Sequence, residues 1–316
     1  MFRANSSDAF PCDGGIVKLK EPSGVPLTLL RYVGAAEGFH CYAKHSDATA
    51  VLPPPPAPPM ESFPPTLNGV YRYTTDVADI VITDRWIDGP KRAIEFDAGC
   101  DVTNMRVERV KFTNVGRDGA RLRNGSNVTF RDFEITKSAV ENLQPETPVG
   151  ITFTGVTNFL VENGTIRGFR MAQEYRPDGT SIYRQGDGFG TEGGSQGTIR
   201  NLVVEDSTDR NLDLKGTVHL ENVTSRRSKR NFGFWHNITG TNITSENPTG
   251  THIWVGDDAV VELDEVTAIG VGKPVFTMES RTRIHVKKLI TDVPASLHKR
   301  SNGSANTCQI DLIVYV

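Results

Sequence analysis

The chain is short of cysteine, of aromatics and of long apolar runs, and each shortage excludes something. Its four cysteines, Cys12, Cys41, Cys100 and Cys308, lie far apart and make no CxxC or Cys/His metal pattern. A Cys12–Cys41 disulfide and buried free thiols both remain open. No apolar run reaches the ~18 residues of a membrane-spanning helix. Met1 to Gly15 is polar and Gly-rich and lacks the basic-then-apolar pattern of a secretory leader. Localisation is therefore open between an intracellular chain, a leader removed or replaced, and export by another route. A net charge of −3 gives no general attraction to nucleic acid. The apolar fraction, 37% of 316 residues, suits a narrow core with a broad polar exterior.

What the chain has in plenty is repetition. From about residue 80 onward it carries apolar-x-apolar-x-x-apolar-x-apolar cassettes: Met105-Val107-Val110-Phe112, Val128-Phe130-Phe133-Ile135 and Phe159-Val161-Gly164-Ile166. Ile199-Leu202-Val204, Val218-Leu220-Val223 and Val261-Leu263-Val266 continue the series. Each is followed by a second short element such as Gly150-Ile151, Asn211-Leu212, Asn231-Phe232 or His252-Ile253. Short alternating strands between Asn/Gly turns at this period predict an all-β solenoid, a parallel β-helix of about eight coils. Its second-strand column is expected to run Ile94, Ala120, Ile151, Phe189, Leu212, Phe232, Ile253, Val275. Phe130, Val161, Ile199, Leu220 and Leu263 should stack in one interior column.

Residues 53–65 hold eight prolines and read as a semi-rigid polyproline linker. They separate a poorly patterned head, residues 1–52, from the β-helix domain, 66–316. The head is too short to bury much core alone, so it is expected to extend or cap the first coil. Eight N-x-S/T triplets recur at the repeat period, which turn and ladder chemistry explains better than glycosylation.

Two insertions, about 136–148 and 167–186, lengthen adjacent coils after the first strand and before the second. They should protrude from the same corner as a binding wall. The second carries Arg170, Glu174, Tyr175, Arg176, Tyr183 and Arg184. Arginine forks around carboxylates and tyrosine offers a flat apolar face, which suits an acidic sugar. A basic run, Arg226-Arg227-Ser228-Lys229-Arg230, lies on a later rung.

Strand alternation sends Arg121, Thr152, Gly190, Asp213, Gly233, Trp254 and Phe276 outward, on rungs about 4.8 Å apart. Asp213 then stands between two glycines, with Trp254 as an aromatic platform roughly 10 Å away. Thr152, Arg170, Tyr175, Arg176 and Trp254 are the expected substrate contacts. Asp187, Asp209 and Asp213 should converge across two rungs, and neighbouring carboxylates suit Ca²⁺ as a cofactor. Arg210 and Lys215 are alternative partners for these acids. A structure in which Lys215 is salt-bridged would favour a binding module over an enzyme.

The stretch Gln185-Gly186-Asp187-Gly188-Phe189, with Asp209-Arg210-Asn211-Leu212-Asp213-Leu214, carries a resemblance. Over about residues 75–295 the chain resembles right-handed parallel β-helix proteins of the pectate-lyase-like superfamily. Its D-x-x-x-D-L stretch is similar to that of calcium-dependent polysaccharide lyases, with Arg210 where a further acid is expected. The resemblance implies an acidic, uronate-containing polysaccharide as partner and a β-elimination in which a Lys or Arg removes the C5 proton. Elimination needs carboxylate neutralisation, a base and an acid. Arg184 or Arg230 would neutralise, Lys215 or Lys229 would be the base, and Tyr183 or His236 the acid. C5-epimerisation shares the proton abstraction, and hydrolysis would need a flanking acid pair. The rival from another class is a non-catalytic glycan-binding or scaffold β-helix. Either function suggests an extracellular or periplasmic setting.

Overall fold

The computed structural model describes residues 71–270 and 272–316, and of residues 1–70 the backbone of four strands. These four, Ala9–Pro11, Ile16–Leu19, Leu30–Ala36 and Phe39–Lys44, form an antiparallel sheet with Ile16–Leu19 and Phe39–Lys44 at its centre. The head thus holds strands that its weak patterning did not announce. The polyproline segment lies outside the described residues, as does Cys12. The chain divides into two compact units, Met1–Pro56 with Val316, and Ala57–Tyr315.

In the second unit the strands wind into a parallel β-solenoid of about 11 turns. Each turn supplies one short strand and one long strand, paired in parallel with their counterparts one turn away. The count exceeds the eight coils expected because turns at both ends depart from the apolar cassette. Tyr71–Tyr73 precedes the first expected coil, and Lys299–Ser301, exposed at all three positions, follows the last.

Most long strands are bent at a residue of positive φ, Asp84, Arg109, Asp132, Asn163, Asn201, Asn222 or Asn242, and Val102–Val115 and Asp118–Lys137 hold two more each. Short polar side chains tolerate this left-handed conformation better than most. Their side chains also join turn to turn. Asn242 donates to Asn222 (2.8 Å), Asn222 to Asn201 (3.1 Å), Asn201 to Asn163 (3.0 Å) and Asn163 to Asp132 (3.1 Å). Three of the N-x-S/T triplets begin at residues of this ladder, so the bend accounts for them.

The expected interior column is present and continuous. Ile82, Val107, Phe130, Val161, Ile199, Leu220, Gly240, Leu263, Val286 and Ile310 stand in register on ten successive rungs. A second column changes character along the axis. It runs Ile87, Phe112, Ile135, Ile166, Val204 and then Ser225, Ser245, Ala268, Thr291. The buried serines exist to serve buried amides. Asn211 donates to Ser225 Oγ (3.0 Å) and Asn231 to Ser245 Oγ (2.9 Å), and the His252 ring bonds the same Ser245 Oγ (2.9 Å).

The second-strand column holds from Ile94 to Ile253 and then shifts by one. Phe276, not Val275, pairs with Ile253, so Phe276 is buried and Thr277 takes its expected outward place beside Trp254. The two insertions stack as expected. Asn142 bridges to Met171, Ala172 N–H donates to Asn142 O (3.0 Å), and Gln144 N–H donates to the Glu174 carboxylate (2.6 Å).

Candidate functional site

Asp187–Thr191, Arg210–Leu214, Arg230–Phe234 and Thr251–Val255 are short strands on four successive turns. In the second of these, Asn211 and Leu212 both face the interior. Two consecutive inward residues break simple alternation, so Arg210 and Asp213 share the outward face. The row Thr152, Gly190, Asp213, Gly233, Trp254 is in register, as alternation implied. Beside it stands a second row, Asp187, Arg210, Arg230, Thr251.

Arg210 and Arg230 are therefore stacked on neighbouring rungs, an arrangement that repels unless an acid intervenes. Asp209 intervenes. Its Oδ2 accepts from Arg210 Nη1 (2.7 Å), and its Oδ1 from Arg230 Nη1 (2.8 Å) and the Tyr183 hydroxyl (2.5 Å). Arg230 also donates to the Tyr183 oxygen at 2.8 Å. The second insertion thus delivers Tyr183 to the short-strand face. Burial, then the Asp209 carboxylate, pushes the phenol up to about 12.

Asp213 is almost fully covered on its outward face. It accepts from Trp235 Nε1 (2.6 Å) and lies 3.4 Å from both Arg210 Nε and Lys215 Nζ. Asp187 accepts the backbone N–H of Arg210 at 3.0 Å. Burial, and then the charges of Asp213 and Asp209, raise the Asp187 carboxyl well above the usual carboxylate range. For Arg210 the burial penalty is outweighed by Asp213, Asp209 and Asp187, so it stays firmly protonated.

Asp209 and Asp213 converge on the Arg210 guanidinium, and Asp187 accepts the Arg210 backbone N–H. Arg210 holds the space between Asp209 and Asp213 that a bound cation needs. Among the described residues no group of three or more His, Cys, Asp or Glu side chains gathers to hold a metal. With Arg210 as their partner, Asp209 and Asp213 take the basic-side-chain alternative that the sequence offered beside Ca²⁺.

Lys215 is also engaged. Its Nζ lies 2.8 Å from Glu192 Oε1, and although burial opposes it, Asp213 and Glu192 raise its affinity for the proton. Trp254, expected as an open platform, is only 8% exposed. It packs on Trp235 at 4.3 Å between centroids, and Arg210 and Arg230 lie 5.2 and 5.8 Å from its ring centre. Its Nε1 donates to Glu279 at 3.0 Å. Gly256 makes the indole packing possible, because a Cβ there would meet the Trp235 ring at 2.7 Å.

An open depression of about 420 Å³ lies at the far end of these strands, lined by Gly193, Lys215, Trp235, His236, Asp257 and Asp258. His236 and Lys215 are thus brought together, on the side away from Tyr183. Arg184 is exposed beside Tyr183. The other insertion residues stand apart: Arg170 pairs with Asp206 (3.0 Å), Arg176 bonds Thr180 (3.3 Å) within a small hairpin, and Tyr175 is exposed there. The sequence reading missed the outward position of Arg210 and the role of Trp235. The signal for the latter was its place next to His236 at a strand end.

Fold and face together define a parallel β-helix protein whose short strands carry a dense array of charges and indoles. Residues 92–262 match the family described as right handed beta helix region, and the chain belongs to that family. No curated protein and no solved structure matches it.

Proposed function

We propose that the protein binds an acidic polysaccharide along its short-strand face and holds it without cleaving it. The observation that carries this reading is the pairing of Lys215 with Glu192 and Asp213, which leaves it no role as a free base. Tyr183 and Arg230 are likewise committed to Asp209. The face carries the cations Arg184, Arg210, Lys215, Lys229 and Arg230 among the carboxylates Asp187, Asp209, Asp213, Glu192 and Glu279. Guanidinium and ammonium groups beside indoles and a tyrosine suit a uronate chain. Binding is tested by calorimetric titration of a panel of uronate polymers, with neutral glycans as controls. Association with uronate polymers and no ultraviolet absorbance from unsaturated uronate is the expected result.

A second reading, β-elimination as in the pectate-lyase-like superfamily, is favoured by Lys229. Burial, then repulsion from Arg230, lowers its pKa, which moves it toward the range of a general base. Arg184 or Arg230 would then neutralise the uronate carboxylate. Growth of unsaturated-uronate absorbance that disappears in Lys229→Gln supports this reading over simple binding. Proton exchange at C5 without bond cleavage points to epimerisation.

A further inference from the structure

We propose that Lys229 and Arg184, beside the Tyr183 ring, form the seat for a carboxylate of the bound glycan. This rests on the acidic-polysaccharide reading above and names where one sugar unit is held. Lys229 Nζ lies 4.5 Å from the centre of the Tyr183 ring, and Arg184 follows Tyr183 in the chain. The neighbouring cations are matched: Arg210 and Arg230 by Asp209, Arg170 and Arg227 by Asp206, Arg226 by Glu246, Lys215 by Glu192. Lys229 and Arg184 make no salt bridge among the described residues. Two cations left unmatched within one basic cluster create a local positive potential that an anion relieves.

The seat is also rigid before any ligand arrives. The Tyr183 hydroxyl is fixed between Asp209 and Arg230, the Ile182 N–H donates to Glu174 O (2.8 Å), and the Gln173 amide donates to Ile182 O (3.1 Å). Such fixing lowers the ordering cost of binding. The depressed proton affinity of Lys229 has the same origin as the seat, in burial and the nearby Arg230, Arg210 and Arg184. A bound carboxylate raises the proton affinity of Lys229 again. A flat ring next to a pair of cations matches a uronate, whose ring has an apolar face and whose edge carries the charge.

The test is titration of a uronate oligosaccharide, its carboxyl-reduced neutral counterpart and a sulfated glycan into wild type, Lys229→Gln, Arg184→Gln and the double variant. Circular dichroism checks that the folds agree, which the surface exposure of both residues favours. The double variant should lose about tenfold or more in affinity for the uronate, since a tenfold loss is about 1.4 kcal/mol. The neutral oligosaccharide should bind wild type and variant alike. Wild-type affinity should fall as pH rises through the lowered Lys229 pKa, and the variant's should not. Equal uronate affinity in wild type and double variant overturns the seat and leaves the acidic-glycan reading standing. Tight sulfated-glycan binding with weak uronate binding overturns the carboxylate assignment. Failure of wild type to bind either acidic probe removes the acidic-glycan reading and the seat with it.

Discussion

The long-strand and short-strand faces of the solenoid both carry charges but arrange them in opposite ways. On the long-strand face acids and bases alternate rung by rung. Glu108, Arg131, Glu162, Arg200 and Glu221 stand in register, and Glu162 sits between the guanidinium groups of Arg131 and Arg200. Lys287 and Lys288 pair in the same way with Asp264 and Glu265. Here each charge answers its neighbour, which is what a parallel stack needs to persist. On the short-strand face Arg210 is stacked on Arg230, and Asp209 and Asp213 share the Arg210 guanidinium with Asp187 close by at its backbone N–H. Like charges held together by a rigid scaffold cost stability, and in folded proteins such costly clusters concentrate at functional surfaces.

The core beneath both faces sets the largest effect. Leu220→Asp places an unpaired carboxylate in a fully buried column between Ile199 and Gly240. The expected loss is more than about 4 kcal/mol, enough to abolish cooperative melting around that turn. A melting midpoint near wild type would show that the column is not the common support of the two faces.

Next comes the buried histidine. Burial lowers the His252 pKa to about 4, against about 6.5 for an unfolded histidine. Its stabilising contribution is complete above pH ~6.5 and is lost as pH falls through the folded value, reaching a limit of about 3 kcal/mol. His252→Asn, which extends the buried Asn211–Asn231 pattern, should flatten that acid arm. Urea titrations of both proteins across this range check it.

Asp213→Asn separates the faces more finely. Asparagine can still accept from Trp235 Nε1, but it no longer balances Arg210 and Lys215. A cost of about 1–3 kcal/mol is expected, larger than the roughly 1 kcal/mol expected for Glu162→Gln, whose arginines extend into solvent. Equal costs would erase the distinction between the faces. Calorimetric titration of Ca²⁺ should give no binding heat with either wild type or Asp213→Asn. Heat that appears only with wild type would favour the metal reading and displace Arg210 from the centre of the site.

The repeat was legible because its signal is additive: Phe130, Val161, Ile199 and Leu220 recur at one position, and periodicity alone puts them in one column. The outward row with Asp213 followed from strand alternation for the same reason. What escaped were local departures from the period. Asn211 and Leu212 both turn inward at a corner, which brings Arg210 onto the outer face. The one-residue shift before Phe276 exchanged a buried ring for Thr277. Trp254 was correctly placed on its rung, yet its burial depends on Trp235 and Arg210, whose side chains arrive from neighbouring turns. Position follows from the repeat, but exposure follows from partners that the repeat does not specify.

The smallest expected effect belongs to His285, and its sign opposes that of His252. His285 lies on the long-strand face between Glu262 (3.0 Å) and Asp311 (2.8 Å), one turn to either side. Its hydrogen bonds to Asp311 and then Glu262 raise its pKa above the ordinary histidine value. A raised folded pKa means the contribution is complete below pH ~6.5 and is lost as pH rises through the folded value. Because the ring and its partners are solvent-exposed, salt should screen the effect. The two histidines thus act on opposite sides of the pH profile, the buried one on the acid side and the surface one, more weakly, on the alkaline side. His285→Gln should flatten only the alkaline arm, and added salt should do the same in wild type. If salt instead flattens the acid arm, the buried histidine is not the group that controls it.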